Sequence, residues 1–186
     1  PDHTHSQVMA LPVMPKALKE ILDTARAHYR VKERCVFCDL LREELEYGER
    51  IVRLSDRFVA LTPYAARYPY EFWILPREHG ADFETGTAAD FGDLAEMLLA
   101  TLARLEDILP EPAYNLFLYS SPNRDQRRGY WTTLAQDFHW YIAVMPRVTQ
   151  VAGFEVGSGL QANAVLPEDA ARMLRSATAL RGGEEA

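Results

Sequence analysis

The chain has 186 residues, enough for one ordinary domain or for one domain and a piece of another. Nearly half the residues are apolar (48%) and a quarter are charged (25%), which is a globular balance. The net charge of −7 argues against a nucleic-acid partner, because phosphate binding needs a basic stripe. No apolar run approaches the length of a membrane span and no signal peptide is visible, so no membrane partner is expected and the cytoplasm is the default location.

Residues 3–13 read as a strand ending at Pro12 and Pro15. Its side-chain period of two puts His3, His5 and Gln7 on one face. Two imidazoles and an amide are the groups needed to attack a phosphorus atom and hold its oxygens. The same pattern returns in degraded form over His139-Trp140-Tyr141-Ile142-Ala143-Val144-Met145-Pro146, an internal repeat with one live copy and one dead one. The chain begins with Pro1, and strand-like sequence starts at once, which reads as the C-terminal part of something longer.

From Pro15 to about Lys32, Leu18, Ile21, Leu22 and Ala25 recur at helical spacing, with Pro15 suited to a helix start. Residues 50–62 read as two short strands around Ser55-Asp56-Arg57, and 69–76 as a further apolar strand. Thr87 to Leu109 is the clearest helix. Thr87 is its N-cap, Phe91, Leu94, Met97, Leu98, Leu102, Leu105 and Leu109 form its stripe, and Pro110 and Pro112 stop it. Tyr114 to Tyr119 and Asp137 to Met145 are strands, joined by the polar loop 123–129. Pro167 to Ala177 is a short final helix, followed from 179 to 186 by an acidic, disordered tail. The expected fold class is α+β, an antiparallel sheet with one long helix packed against it.

The two cysteines form Cys35-Val36-Phe37-Cys38. In an acidic, cytosolic chain this spacing means metal or redox chemistry. A redox pair sits at a helix start within a βαβ unit, and no such unit surrounds this one. Zinc needs about four ligands. Among the five histidines, His79 follows the strand ending at Pro76 and His139 sits on the strand ending at Pro146, so Cys35, Cys38, His79 and His139 are the economical set. His28 lies in a charged helix and reads as surface. The pair Arg127-Arg128 reads as a solvated loop with some reach toward a phosphate.

Together these segments resemble the histidine triad superfamily, and within it the galactose-1-phosphate uridylyltransferase family. His3-Thr4-His5-Ser6-Gln7 is similar to that family's catalytic His-Pro-His-x-Gln, with Thr4 in place of Pro. Cys35 to Leu41 resembles the metal-binding start of a histidine triad domain, Phe72 to His79 its middle strand, and Phe138-His139-Trp140-Tyr141 its triad strand. Val151-Ala152-Gly153-Phe154-Glu155 resembles the family's sugar-recognition stretch. The resemblance implies that residues 1–32 end a first histidine-triad-like domain and that 33–178 form a second, catalytically degenerate one. Tyr141 stands where the nucleophilic His would be, and Ala143 stands at the third triad position.

The activity implied is transfer of UMP between UDP-glucose and a hexose 1-phosphate, in galactose metabolism. His5 attacks the α-phosphorus and glucose 1-phosphate leaves. The uridylyl-histidine then passes its nucleotide to a second sugar phosphate. Gln7 donates to a non-bridging oxygen, with Ser6 assisting. Glu155, with Phe154 beside it, meets the sugar. Zinc is the implied cofactor, held in the second domain by the four residues above. His3 ligates a separate first-domain zinc whose partners lie outside this chain. A homodimer is implied as well. Two alternatives stay open: a phosphorylase of ADP-sugars using the same His5, and a non-catalytic, zinc-stabilised nucleotide-binding domain.

Overall fold

A computed structural model describes residues 5–8, 11–122, 132–150 and 152–177. Helices α1 (Lys16–Lys32) and α2 (Val36–Tyr47) come first, then strands β1 (Ile51–Leu54), β2 (Phe58–Leu61) and β3 (Phe72–Pro76). The long helix α3 (Ala88–Ile108) leads to β4 (Tyr114–Tyr119), a helical turn α4 (Leu134–Asp137) and β5 (Tyr141–Pro146). Two helices close the fold, α5 (Gly153–Ser158) and α6 (Pro167–Ser176). The sheet is antiparallel throughout, in the order β1-β2-β3-β5-β4.

Alternation along the strands divides the interior into two cores. Val59, Leu61, Leu75, Tyr141, Ala143 and Met145 face one side, where Leu22 and Ala25 of α1 and Phe37 and Leu41 of α2 pack. Phe58, Ala60, Phe72, Ile74, Ile142 and Val144 face the other, against Leu94, Met97 and Leu105 of α3 and Ala171 and Leu174 of α6. Every residue of β2 and β5 is therefore buried, as happens when helices cover both faces of a sheet. The expectation of one helix on the sheet is thus incomplete. α3 is the longest helix, but α1 and α2 cover the opposite face.

Three expectations about strands are corrected by the backbone, and one element is new. The described part of 3–13 forms no strand, and His5 to Val8 are exposed. A strand needs a ladder partner to complete its hydrogen bonds, and none of the five strands supplies one to this segment. The strand expected over 69–76 begins only at Phe72, because Tyr70 adopts φ 60 and the Glu71 N–H turns back to the Tyr68 carbonyl at 3.1 Å. The strand expected from Asp137 begins at Tyr141, since Leu134–Asp137 coils instead. Helix α2 has no counterpart among the expected elements. Its buried residues Phe37, Leu41 and Glu44 nonetheless follow helical spacing, and Gly48 ends it at φ 73, where glycine avoids a Cβ clash.

Candidate functional site

Antiparallel pairing of β3 with β5 sets up a cluster that could hold a metal ion. Phe72 lies opposite Val144 and Ile74 opposite Ile142, so the chain leaving β3 and the chain entering β5 share one end of the sheet. His79 follows β3 and His139 precedes β5 there, with ring centroids 5.5 Å apart. The sequence reading put His139 on the strand itself; it sits two residues before it. Cys35 is the N-cap of α2 and Cys38 lies one turn on, so both thiols fall on the same face of the helix start. One ligand atom from each of Cys35, Cys38, His79 and His139 falls within 4.8 Å of the others. These are the four residues the sequence selected.

Both imidazoles are oriented from behind. His79 Nε2 donates to the Ala135 carbonyl at 2.9 Å, and His139 Nε2 to the Pro76 carbonyl at 3.0 Å. That leaves each Nδ1 lone pair aimed into the cluster, 3.2 Å and 3.5 Å from Cys38 Sγ respectively. Backbone carbonyls holding the far nitrogen are the usual support of a metal-ligating histidine. A tetrahedral zinc has metal–sulfur bonds of about 2.3 Å and metal–nitrogen bonds of about 2.0–2.1 Å, which gives ligand–ligand edges of about 3.3–3.8 Å. The observed S···N distances are close to those edges, so the donor set and spacing fit zinc. Hydrogen bonding between the thiols lowers Cys38 below its ordinary value and raises Cys35, which burial raises further. The Cys35 thiol raises His79.

Next to Cys38 lies a feature the sequence did not single out. The Asp39 carboxylate accepts from His28 Nε2 of α1 at 2.9 Å, from Arg34 Nε at 3.0 Å and from Arg42 Nη2 of α2 at 2.7 Å. Arg34 foremost holds Asp39 down, at about 2. His28 is therefore not an idle surface residue. An Asp after a cysteine carries no spacing signature, so only the folded geometry reveals its partners.

The remaining site residues are dispersed. His5, Ser6 and Gln7 lie exposed ahead of α1, outside the four-residue cluster. His3 and the Arg127-Arg128 pair fall outside the described residues. Phe154 is 60% exposed on α5. Glu155 Oε2 accepts the Ala152 N–H at 3.0 Å, closing the first turn of that helix. Tyr141 is buried and stacked on Tyr119 at 4.7 Å, with Trp73 at the same distance on another side. Burial raises its phenol well above the ordinary value. A cleft of about 180 Å³ between α2 and the sheet, walled by Phe37, Leu41, Leu61, Tyr64, Trp73 and Leu75, is apolar.

Residues 22–183 match the family described as galactose-1-phosphate uridyl transferase, C-terminal domain. An ADP-glucose phosphorylase of Arabidopsis thaliana is 33% identical over 93% of this chain and 46% of its own length. A galactose-1-phosphate uridylyltransferase of Thermotoga maritima is 28% identical over 93% and 54%. The chain thus spans about half the length of these relatives. The crystal structure of an ADP-glucose phosphorylase from Arabidopsis thaliana with bound ADP-glucose superposes at a TM-score of 0.79, with 28% identity, over 90% of this chain and 51% of that one. A Hit-like protein from Bartonella henselae shares the fold at a TM-score of 0.54 and 12% identity, over 77% of this chain and 95% of that one. The chain belongs to the galactose-1-phosphate uridylyltransferase family, matches its C-terminal domain, and has a histidine-triad-like fold.

Proposed function

We propose that this chain is the C-terminal part of a nucleotidyltransferase of galactose metabolism, moving UMP between UDP-glucose and a hexose 1-phosphate through His5. The observation that supports this reading is the exposed His5-Ser6-Gln7 segment, which precedes in sequence a helix packed on a domain of the matching family. A neutral imidazole nitrogen of His5 forms a bond to the α-phosphorus of UDP-glucose. The phosphorus–oxygen bond to glucose 1-phosphate breaks with its electron pair leaving on the sugar phosphate, and the uridylylated imidazole keeps its other N–H as a cation until the second displacement returns it to neutral His5. A phosphate oxygen of the second hexose 1-phosphate then attacks the same phosphorus and displaces His5. The Gln7 amide donates to a non-bridging oxygen during both steps, and Ser6 adds a hydroxyl. Glu155 meets sugar hydroxyls with lone pairs not used at Ala152, with Phe154 against the ring.

In this reading residues 1–32 end a first histidine-triad-like domain, and 33–178 form a second one without its own nucleophile. Cys35, Cys38, His79 and His139 hold a zinc ion that is structural, because four protein donors leave no open position for substrate. His3 serves a separate metal site completed from outside this chain. The complete enzyme is a cytoplasmic homodimer.

Isotope exchange tests the double displacement. Full-length protein given UDP-glucose and labelled glucose 1-phosphate, with no second acceptor, should move label into UDP-glucose, and His5→Ala should abolish this. Exchange with ADP-glucose in place of UDP-glucose would make the nucleotide adenylyl. Exchange that persists in His5→Ala would remove His5 as nucleophile.

A further inference from the structure

We propose that the cleft between α2 and the sheet is a binding site for one uncharged aromatic ring, taken up as a free small molecule and not as a nucleotide. His5 is not among the residues that wall this cleft, and the proposal does not depend on the transfer reading.

Three aromatic side chains line the space: Phe37 from α2, Trp73 from β3 and Tyr64 from the turn after β2. The first two are fixed from behind. Phe37 is buried and meets the Phe138 ring edge-on at 5.7 Å. Trp73 lies 4.7 Å from the Tyr141 ring, and its Nε1 donates to Glu71 Oε1 at 3.0 Å. These walls are preformed, so a ligand does not have to order them. Tyr64 differs. It is 73% exposed and stands beside Ala65, which is exposed as well, so the cleft opens to solvent there.

Size, polarity and charge select the occupant. The cleft holds about 180 Å³. An apolar protein cavity of about 150 Å³ takes up benzene, whereas pockets for drug-sized ligands run to about 300–1,000 Å³. One ring fits, with at most a second fused to it; a base with its ribose and phosphate does not. The polar side chains of the wall are already engaged. Trp73 Nε1 serves Glu71, and both Glu44 oxygens accept from Arg50 Nε, at 2.9 Å and 3.0 Å. A ring bearing amide and carbonyl groups would give up water and meet no side-chain partner there, which favours an apolar ring over a nucleobase. Arg50 lies over the Tyr64 ring at 5.2 Å and also donates to Glu168 at 2.7 Å. Two carboxylates against one guanidinium leave this corner acidic, so an anionic group at the mouth is repelled.

Isothermal titration of full-length protein with indole tests the site. Indole should bind saturably, with Kd below about 1 mM. Indole-3-acetate has the same ring with an anionic arm and should bind at least about tenfold more weakly. That comparison is made on wild-type protein and needs no variant. Ala65→Phe places a ring in the cleft from an exposed position, and should weaken indole at least about tenfold while Tm is kept. Tyr64→Ala, also at an exposed position, should weaken it about threefold. UMP should not displace indole. The proposal is overturned by the absence of saturable heat, by equal affinity for indole and indole-3-acetate, by wild-type affinity in either variant, or by displacement of indole by UMP.

Discussion

Glu71 shows how much a single side chain can hold. It is 1% exposed, yet its carboxylate accepts the N–H of Arg67 at 2.8 Å, the N–H of Tyr68 at 3.2 Å and Trp73 Nε1 at 3.0 Å. Removing it strands donors around the left-handed Tyr70. Glu71→Ala should therefore cost about 2–4 kcal/mol in chemical denaturation, and Glu71→Gln, which still offers an acceptor oxygen, distinctly less. At the metal centre, Cys35→Ser should lose zinc and stability together. A loss of about 3 kcal/mol would lower Tm by about 6–12 °C. Full zinc content in that variant, measured by atomic emission, would exclude the four-residue site. Cysteines and histidines are few in this chain, so these candidate ligands could be picked out from the sequence. Asp39 and Glu71 are two among 27 acidic residues, and only their folded neighbours distinguish them.

Among the elements, α3 carries the most legible start. The Thr87 hydroxyl accepts the Asp90 N–H at 3.2 Å, while the Thr87 N–H donates to Asp90 Oδ2 at 2.8 Å, a reciprocal cap. Thr87→Ala should cost about 1 kcal/mol in denaturant. Hydrogen bonding from Thr87, foremost its hydroxyl, with Arg57 added, holds Asp90 at about 2 against an ordinary 3.8. A depressed carboxylate stabilises the fold above its unfolded value and loses that contribution as pH falls through the folded one. Between about pH 4 and 2, then, wild-type stability should fall more steeply than that of Asp90→Asn; parallel Tm-against-pH curves would contradict this. Strands β1, β2 and β4 were legible because alternation and turn residues frame them. Helix α2 was not, because its N-cap is Cys35, which makes no side-chain cap hydrogen bond and carries none of the usual signals of a helix start. The strand expected at His5 failed for the opposite reason: alternation is a local signal, and pairing requires a second strand.

For the molecule as a whole, the family and the fold were legible from the order of motifs, whereas the covering of both sheet faces was not. The two cores interleave along each strand, so a sheet covered on both sides reads as continuous apolar sequence instead of a clean alternation. One edge remains open. Among the described residues β4 pairs only with β5, and Leu116, Phe117 and Leu118 are 41–46% exposed. An apolar edge of this kind invites pairing with another strand. The isolated chain should self-associate with rising concentration in sedimentation experiments, and Phe117→Lys should reduce this. A monomer at all concentrations would show the edge to be inert.

The most direct measurement is to find the covalent intermediate. Full-length protein is incubated with α-phosphate-labelled UDP-glucose and quenched, and the acid-labile label is mapped by mass spectrometry. The account predicts a uridylyl group on the peptide containing His5, absent from His5→Ala. Label on any other residue, or turnover without a labelled protein, would contradict it.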